Sequence, residues 1–159
     1  MGTSQQPAPV RAQVERQPSL SRLLGQIDRQ VARRLDAILA GRGLTVDQWR
    51  ALDILADGEG HVMSEIAATL VVPGATLTKI MDKLVDAALM YRLVDDRDRR
   101  RVLAFISDKG NKLHADIKPR VADAEAESIA PLGEDRQILL ELLTRLAMSP
   151  QDRPARSTG

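Results

Sequence analysis

Seven consecutive charged residues, Asp95–Arg101, are the part of this sequence best suited to binding an anionic partner. We call this stretch the arginine tip. It holds four arginines and three aspartates between two short apolar runs, Met90–Val94 and Val102–Ile106. This arrangement predicts an exposed β-hairpin tip, although Gly or Asn would turn the chain more easily. Arginine is the usual residue for entering a narrow DNA minor groove. The arginine tip therefore indicates DNA contact, with a self-neutralising surface loop as the alternative.

A second candidate surface lies on the amphipathic segment just before the hairpin. Thr76, Thr78 and Lys79 occupy its opening turns, and Lys83 follows one turn later. A helix N-terminus offers free N–H groups and partial positive charge to a phosphate. Thr and Lys side chains can bond phosphates or base edges. The alternative is an ordinary solvated helix face, because aspartates at positions 82 and 86 reduce the positive charge.

The elements that position these residues are predicted to form a winged helix-turn-helix over residues 44–107. A short helix at Met63–Leu70, a tight break at Val71–Gly74 and a longer helix with a polar outer side give the helix-turn-helix pattern. The hairpin that follows is the wing. Within the arginine tip, Asp96 and Asp98 are spaced to hold guanidinium groups through bidentate pairs.

Amphipathic helices are predicted on both sides of this domain, at residues 19–41 and 108–148. Each has an apolar face that so small a domain cannot cover, so we expect two copies of the chain to pack there. Residues 1–18 and 149–159 are predicted to be mobile tails. The predicted dimerisation residues are Leu20, Leu23, Leu24, Ile27, Leu139, Leu142, Leu143 and Leu146.

Composition sets the fold class, which we expect to be mainly α with a small β-hairpin wing and N- and C-terminal dimerisation helices. Hydrophobic residues make up 43% of the 159 residues and aromatic residues only 2%, so aliphatic side chains must build the core. The net charge of +1 does not by itself indicate a nucleic-acid binder. The absence of cysteine excludes disulfides, thiolate metal sites and cysteine-based peroxide sensing. Without a secretory signal or an apolar run of about 20 residues, we expect no membrane contact and a cytoplasmic, nucleoid-associated protein.

Enzymatic and metal-binding functions find little support. No nucleophile motif, P-loop or dinucleotide fingerprint is present, and a small helical enzyme would need an acid–base pair that the sequence does not suggest. We therefore predict no enzyme activity and no cofactor. The two histidines, His61 and His114, lack metal-ligand spacing, so we predict satisfied or surface side chains and no metal site. A metal effector held across a dimer stays an alternative.

Four segments together resemble the MarR family of bacterial transcription regulators. They are Ala67–Leu70, Thr76–Leu84, Asp98–Arg100 and Ser107–Gly110. The resemblance covers about residues 20–146. The combined spacing is specific, whereas each segment alone is not.

The resemblance implies a homodimer that binds double-stranded DNA at a pseudo-palindromic site. Thr76, Thr78 and Lys79 match the family positions that approach the major groove. Arg100, oriented by Asp98, matches the arginine that enters the minor groove, and the arginines at 97 and 99 would add phosphate contacts. The predicted DNA-binding set is Thr76, Thr78, Lys79, Lys83, Arg97, Asp98, Arg99 and Arg100.

The resemblance also implies a ligand-responsive repressor whose small, often aromatic effector binds between the dimerisation helices and the DNA-binding domain. No effector-binding residues are assigned. Trp49 and the face of Ile27–Leu35 could line such a crevice, although core packing is the simpler interpretation for each. A protein-interaction module that has lost specific DNA binding is the alternative function.

Three positions depart from the family pattern. Val71 stands where the family commonly has Gly, Pro73 where it often has a Ser cap, and Val62 where it has Thr. A β-branched residue is poorly suited to a left-handed C-cap. We therefore expect the turn at Val71 to take another form, and both helices around it to lack side-chain caps.

Overall fold

The computed structural model describes residues 18–149, and its elements confirm a mainly α fold with a small sheet. The predicted tails at 1–18 and 149–159 lie outside the described residues except for Pro18 and Ser149. In chain order the elements are α1 (Leu20–Leu39), a 3-10 turn (Ala40–Arg42), α2 (Val46–Leu55), β1 (His61–Val62), α3 (Met63–Leu70), α4 (Gly74–Asp86), β2 (Met90–Val94), β3 (Val102–Ile106), α5 (Asp108–Ile129), a 3-10 segment (Ala130–Asp135) and α6 (Arg136–Met148).

The sheet has three antiparallel strands in the order β1-β3-β2, one more than the sequence predicts. β2 and β3 occupy the two predicted apolar runs and pair from Met90↔Ile106 to Val94↔Val102. β1 is only two residues long and pairs His61 with Ala104. A strand this short shows no alternation in the sequence, which is why it escapes prediction. It ties the start of α3 to the hairpin.

A capping box, which the pattern Thr45-Val46-Asp47-Gln48 favours, begins α2. Thr45 Oγ1 accepts from the Gln48 amide at 3.2 Å, and Gln48 Oε1 accepts from the Thr45 amide at 2.9 Å. Both bonds satisfy amides that have no acceptor within the helix. One side of α2 is buried, including Trp49, Leu52 and Leu55, which fixes α2 at the centre of the core.

A tight junction between Ser107 and Gly110 joins α5 to the end of α4. Ser107 Oγ accepts from the Gly110 amide at 2.9 Å and donates to the Ala88 carbonyl at 2.8 Å. The Lys109 ammonium donates to the Ala87 carbonyl at 2.8 Å. A Cβ on Gly110 would lie 2.0 Å from the Leu89 carbonyl oxygen. Only glycine therefore fits at position 110 without displacing the Leu89 backbone.

The turn after α3 departs from expectation. Val71 adopts the left-handed conformation, with φ 54° and ψ 43°, and caps α3 in the manner usual for glycine. The expectation of another turn form is wrong, because the amides of Val71 and Val72 still reach the carbonyls at the end of α3, at 3.3 and 3.1 Å. The expected lack of side-chain caps is confirmed for α3 and α4.

Val71→Gly is expected to raise the free energy of unfolding by about 0.5–1 kcal/mol. The left-handed conformation has a higher conformational free energy for a β-branched residue than for glycine. This difference is larger than the extra conformational entropy that glycine loses when the chain folds. The Val71 side chain is 86% exposed, so its loss removes no core packing. Urea unfolding of Ala68→Gly, in the exposed helical turn just before, should show a loss of about 1 kcal/mol. Equal destabilisation by both substitutions would contradict this account.

The terminal helices leave apolar side chains uncovered in the single chain. On α1, Leu20 is 64% exposed, and Leu23, Leu24 and Ile27 are also exposed. No residue of α6 is buried, and Leu146 is 63% exposed. By contrast, the C-terminal half of α1 enters the core through Leu35 and Leu39. No helix among residues 18–149 is both long and apolar enough to cross a bilayer.

Candidate nucleic-acid interface

The outer surface of α4 carries the residues predicted to meet the major groove. Leu77, Ile80, Met81 and Leu84 are buried, which turns the polar residues outward. Thr76, Lys79 and Lys83 are exposed at i, i+3 and i+7 and share one stripe, whereas Thr78 lies beside it. The helix therefore presents two hydroxyls and two ammonium groups on its solvent side.

The N-terminus of α4 has backbone donors to spare. The amides of Thr76 and Leu77 donate to the Pro73 carbonyl at 2.9 and 3.0 Å. No side chain caps the helix, so the amides of Gly74 and Ala75 are left without an acceptor inside it. With small residues at both positions, a phosphate or base edge can approach this end of the backbone closely.

The Thr78 hydroxyl is already committed as a donor. Its Oγ1 donates to the Gly74 carbonyl at 3.0 Å. The hydroxyl can therefore only accept from a DNA group such as the adenine or cytosine amino group, while its methyl can contact a thymine methyl. Thr76 carries no such bond among the described residues and is free to donate or accept.

An ion pair joins the recognition surface to the wing. Arg92 of β2 donates to Asp82 of α4 at 2.9 Å. The pair neutralises the carboxylate that the sequence suggested would oppose DNA. Arg92 is missing from the predicted set, although a signal exists. Arg92 lies two residues after Met90 and therefore on the same face of β2 as this buried residue. A single charged residue within an apolar run indicates that it has a partner on that face.

Two aspartates shape the arginine tip through its backbone. Asp95 Oδ1 accepts from the Arg97 amide at 2.9 Å, and Asp98 Oδ1 accepts from the Arg100 amide at 3.0 Å. The Arg101 amide also donates to the Asp98 carbonyl at 2.8 Å. These Asx-type turns replace the glycine or asparagine that a hairpin tip would otherwise use.

The predicted bidentate pairs within the arginine tip are not formed. Among the ion pairs of residues 18–149, none joins Asp96 or Asp98 to an arginine of the arginine tip. Asp98 does not pair with a guanidinium group because its carboxylate accepts a hydrogen bond from the Arg100 amide two residues on. The guanidinium groups of Arg97, Arg99 and Arg100 are left exposed to solvent and available for a partner.

The structure thus places the predicted DNA-binding residues on two adjoining elements. Thr76, Thr78, Lys79 and Lys83 lie on α4, and Arg97, Asp98, Arg99 and Arg100 lie at the end of the hairpin whose first strand is anchored to α4. Their contact with DNA stays a prediction. The predicted dimerisation leucines lie on α1 and α6, away from these two elements in the chain.

Both histidines are satisfied by carboxylates. His114 is buried, stacks on Trp49 with ring centroids 4.9 Å apart, and bonds Asp53 at 2.7 Å. Trp49 is therefore a core residue. His61 bonds both oxygens of Asp57, at 3.0 and 2.9 Å, and this hydrogen bond lowers the pKa of the Asp57 carboxyl. Residues 18–149 hold no group of three potential ligands placed to bind a metal.

Glu125→Gln is expected to increase the free energy of unfolding at neutral pH. Partial burial, with a smaller contribution from the Asp53 carboxylate, raises the pKa of Glu125 above its ordinary value. The folded state therefore penalises the ionised group, and acidification through the raised pKa removes the penalty. The gain should fade by about pH 4. Glu127→Gln, which breaks the exposed pair with Arg34, is the matched control. A gain that persists at low pH would contradict the sign.

A search of protein families matches residues 42–101 to a family described as the MarR family. Among curated proteins, the HTH-type transcriptional regulator FarR of Neisseria gonorrhoeae is 31% identical over 111 residues. The match covers 69% of this chain and 76% of FarR. The name of this relative describes a regulator of transcription, which is not an enzymatic role.

Two solved structures share the fold closely. A MarR mutant from E. coli complexed with operator DNA is 25% identical, with a TM-score of 0.71 and coverage of 81% of this chain and 93% of that one. NadR in complex with 4-hydroxyphenylacetate is 27% identical, with a TM-score of 0.74 and coverage of 84% and 96%. Most of this fold therefore recurs in one protein solved with operator DNA and in another solved with 4-hydroxyphenylacetate.

Proposed function

Because this chain belongs to the MarR family of transcription regulators, we propose that it represses transcription as a homodimer on a pseudo-palindromic operator. It is a DNA-binding regulator and not an enzyme. The observation that carries the residue-level proposal is the arginine tip. Asp95 and Asp98 accept hydrogen bonds from backbone amides, and the guanidinium groups of the arginine tip have no ion-pair partner among residues 18–149. The strand that leads into the arginine tip, β2, is held to α4 by the Arg92–Asp82 pair.

Binding is proposed to use both elements at once. The free amides of Gly74 and Ala75, with Thr76, Thr78 and Lys79, enter the major groove, and Lys83 meets the phosphate backbone. Arg100 enters the neighbouring minor groove, where its positive charge meets enhanced negative potential. The arginines at 97 and 99 contact the flanking phosphates. The winged helix-turn-helix domain is proposed at 44–107, with dimerisation helices at 19–41 and 108–148.

The uncovered apolar faces support the homodimer. Leu20, Leu23, Leu24 and Ile27 on α1 are exposed in the single chain, as are Leu142, Leu143 and Leu146 on α6, while Leu139 is half-buried. Two copies can bury these faces against each other with two-fold symmetry. Such a dimer presents two recognition helices to half-sites about one helical turn apart, roughly 34–36 Å.

A small, aromatic effector is proposed to control the dimer, as the complex of NadR with 4-hydroxyphenylacetate suggests. An effector that binds more tightly to a dimer with a different spacing of the two α4 helices shifts the protein toward that state. Because the two helices then no longer match the half-sites, the operator is released. A location in the cytoplasm, associated with the nucleoid, accords with such a role.

Selection of bound genomic DNA fragments by the full chain tests the proposal. The expected result is one enriched motif with two inverted half-sites about 10 base pairs apart, centre to centre. Binding to that motif should weaken steeply as salt rises, because phosphate contacts release counterions. Recovery of unrelated fragments, with weak binding that salt does not change, would instead identify a protein-interaction module.

A further inference from the structure

The wing has an apolar face on the side of its sheet that points away from the core. Met90, Ala104 and Ile106 are buried on the other side, where the strands pack against the helices. Because side chains alternate along a strand, the residues between them share the opposite side. We call this surface the outer wing face, and it consists of Tyr91, Leu93, Leu103 and Phe105. Tyr91 is 44% exposed and Leu93 is 52% exposed.

The outer wing face is ordered as well as apolar. Antiparallel sheets at a protein surface commonly bury one face and turn a polar face to solvent, but this sheet is apolar on both. The rings of Tyr91 and Phe105 stack with their centroids 5.6 Å apart. The Phe105 ring also lies against Gly60, where a Cβ would come within 2.5 Å of the ring. Exposure of such a packed apolar surface in the single chain indicates a partner.

Opposite charges lie at the two ends of the outer wing face. Arg101 continues the alternation of β3 to the arginine tip, because the Asp95 amide donates to the Arg101 carbonyl at 2.9 Å. At the other end Glu59 directly precedes Gly60, and the Glu59 amide donates to Asp57 Oδ1 at 2.9 Å. Arg101 and Glu59 are both exposed, and neither takes part in an ion pair among residues 18–149. The face therefore has a cation at one end and an anion at the other.

This charge pattern is complementary to a second copy of itself. In a two-fold contact with the strands antiparallel, each Arg101 meets Glu59 of the other copy. The apolar side chains then pack between the two ion pairs, which is the usual arrangement of an apolar centre within a polar rim. One surface thus serves both copies, and the contact closes without leaving the face open for a third.

The area of the contact decides when it forms. The exposed part of the four apolar side chains is on the order of 300 Å² per copy, below the roughly 800 Å² per partner of a stable interface. A contact of this size cannot by itself join two dimers in solution. DNA that holds two dimers side by side gives them a high effective concentration, at which the same contact forms.

The outer wing face is placed to meet a neighbour on the DNA. The strands of the wing contact mainly α2, α3 and α4, whereas α1 contacts mainly α5. The face is therefore separate from the leucines of α1 and α6 that are proposed to form the dimer. It also begins at the arginine tip, which is proposed to contact DNA. A second dimer bound beside the first can therefore reach it while both stay on DNA.

We infer that two dimers of this chain bind neighbouring operators cooperatively by pairing their outer wing faces, with Arg101 of each copy against Glu59 of the other. The inference rests on the proposed function, because only DNA brings the two dimers together. It goes beyond that function, since this contact joins complete dimers and takes no part in forming them.

Binding to DNA that carries two copies of the selected operator tests the inference. The spacer between the operators is lengthened one base pair at a time over one helical turn, about 10 base pairs, because the two wings must lie on the same side of the DNA. At one spacing, the parent should bind the pair of operators with at least roughly fivefold higher affinity per site than a single operator. Without DNA, sedimentation should show no species larger than the dimer.

Leu93→Gln should lose this cooperativity and keep the affinity of the parent for a single operator. Val94→Gln, on the other face of β2 and 55% exposed, is the matched control and should stay cooperative. Arg101→Glu and Glu59→Arg should each lower the ratio of paired to single affinity to about one, and the chain with both changes should regain the ratio of the parent. Circular dichroism should give all these variants the helical content of the parent.

Independent binding to the two operators at every spacing, with normal binding to one, would overturn the inference and leave the proposed function standing. Cooperativity that survives in Leu93→Gln would also overturn it, as would failure of the double change to restore what each single change removes. Cooperativity that appears only after residues 1–17 are removed would assign the outer wing face to that segment instead. If the parent selects no operator at all, both the proposed function and the inference are wrong.

Discussion

Replacing Leu146 by glutamate is expected to convert the dimer into monomers and to weaken operator binding by about 10²–10⁴-fold. Leu146 is 63% exposed in the single chain, so its packing there contributes little to folding. In the proposed dimer it is covered by the partner, and a glutamate at this position would bury an unpaired charge. A monomer binds only one half-site. It therefore lacks the high effective concentration at the second half-site that a dimer has once its first subunit is bound. Sedimentation should show a species of 17.5 kDa instead of twice that mass.

Thr144→Glu supplies the matched control on the same helix. Thr144 lies two residues before Leu146, on the polar side of α6, where its hydroxyl donates to the Leu140 carbonyl at 2.7 Å. Thr144→Glu adds the same negative charge to α6 as Leu146→Glu does, but it adds it to the opposite face of the helix. Circular dichroism should give both variants the helical content of the parent. A dimeric Leu146→Glu protein would remove α6 from the interface, and a monomeric parent would remove the homodimer itself.

Local patterns in the sequence were sufficient for most of the elements near the site. The two apolar runs around the arginine tip become β2 and β3 with the predicted bounds, and the predicted short helix becomes α3. Each depends on neighbours within a few residues, namely alternation in the strands and helical spacing in the helix. The capping box at Thr45 and the cap at Ser107 are local in the same way.

Features that depend on distant partners could not be predicted in this way. β1 exists because His61 and Val62 pair with residues some forty positions later, at Ala104 and Leu103. The Arg92–Asp82 pair requires β2 to lie across α4, which no local pattern states. Both features stabilise the wing against the helix-turn-helix unit. The sequence thus indicated the surfaces of the site but missed the contacts that hold those surfaces together.

The left-handed caps show where propensity and tertiary structure conflict. Val71 takes a conformation that its side chain disfavours, and Ala88 does the same at the end of α4, with φ 57°. In each case the amides beyond the helix reach its last free carbonyls, as with Leu89 bonding to Leu84 at 2.9 Å. Satisfying these carbonyls and keeping the short turn outweigh a local cost of about 1–2 kcal/mol per residue.

The sequence predicted which residues form the candidate site, but it assigned the wrong bonding partner to one of them, Asp98. The expectation that Asp98 pairs with a guanidinium gives way to a bond with the Arg100 amide. An aspartate oxygen is a good acceptor for an amide two residues on, and this local bond needs no long side chain to be ordered. As a consequence, the arginines that are not paired within the arginine tip keep their full charge for an anionic partner, which we propose is DNA.

Arg100→Ala is expected to weaken operator binding by about 1–3 kcal/mol, which is roughly 5- to 150-fold. The guanidinium group is exposed and has no ion-pair partner among residues 18–149, so its removal leaves folding and dimerisation unchanged. The loss should depend on sequence, with the largest effect where the flanking minor groove is narrow. Fluorescence anisotropy with the selected operator and with a variant whose flanks are G·C-rich measures both effects.

Arg99→Ala is the matched control at the neighbouring position. Because Arg99 is proposed to contact a phosphate, it should contribute almost equally to the affinity for both DNA sequences. Its loss should reduce the slope of the logarithm of affinity against the logarithm of salt concentration by about one. Asp98→Ala should weaken binding through Arg100, because the tip loses the acceptor for the Arg100 amide. Asp98→Asn keeps an oxygen there and should retain most of the affinity. An Arg100→Ala protein that binds the selected operator as tightly as the parent would show that the wing does not enter the groove through this residue.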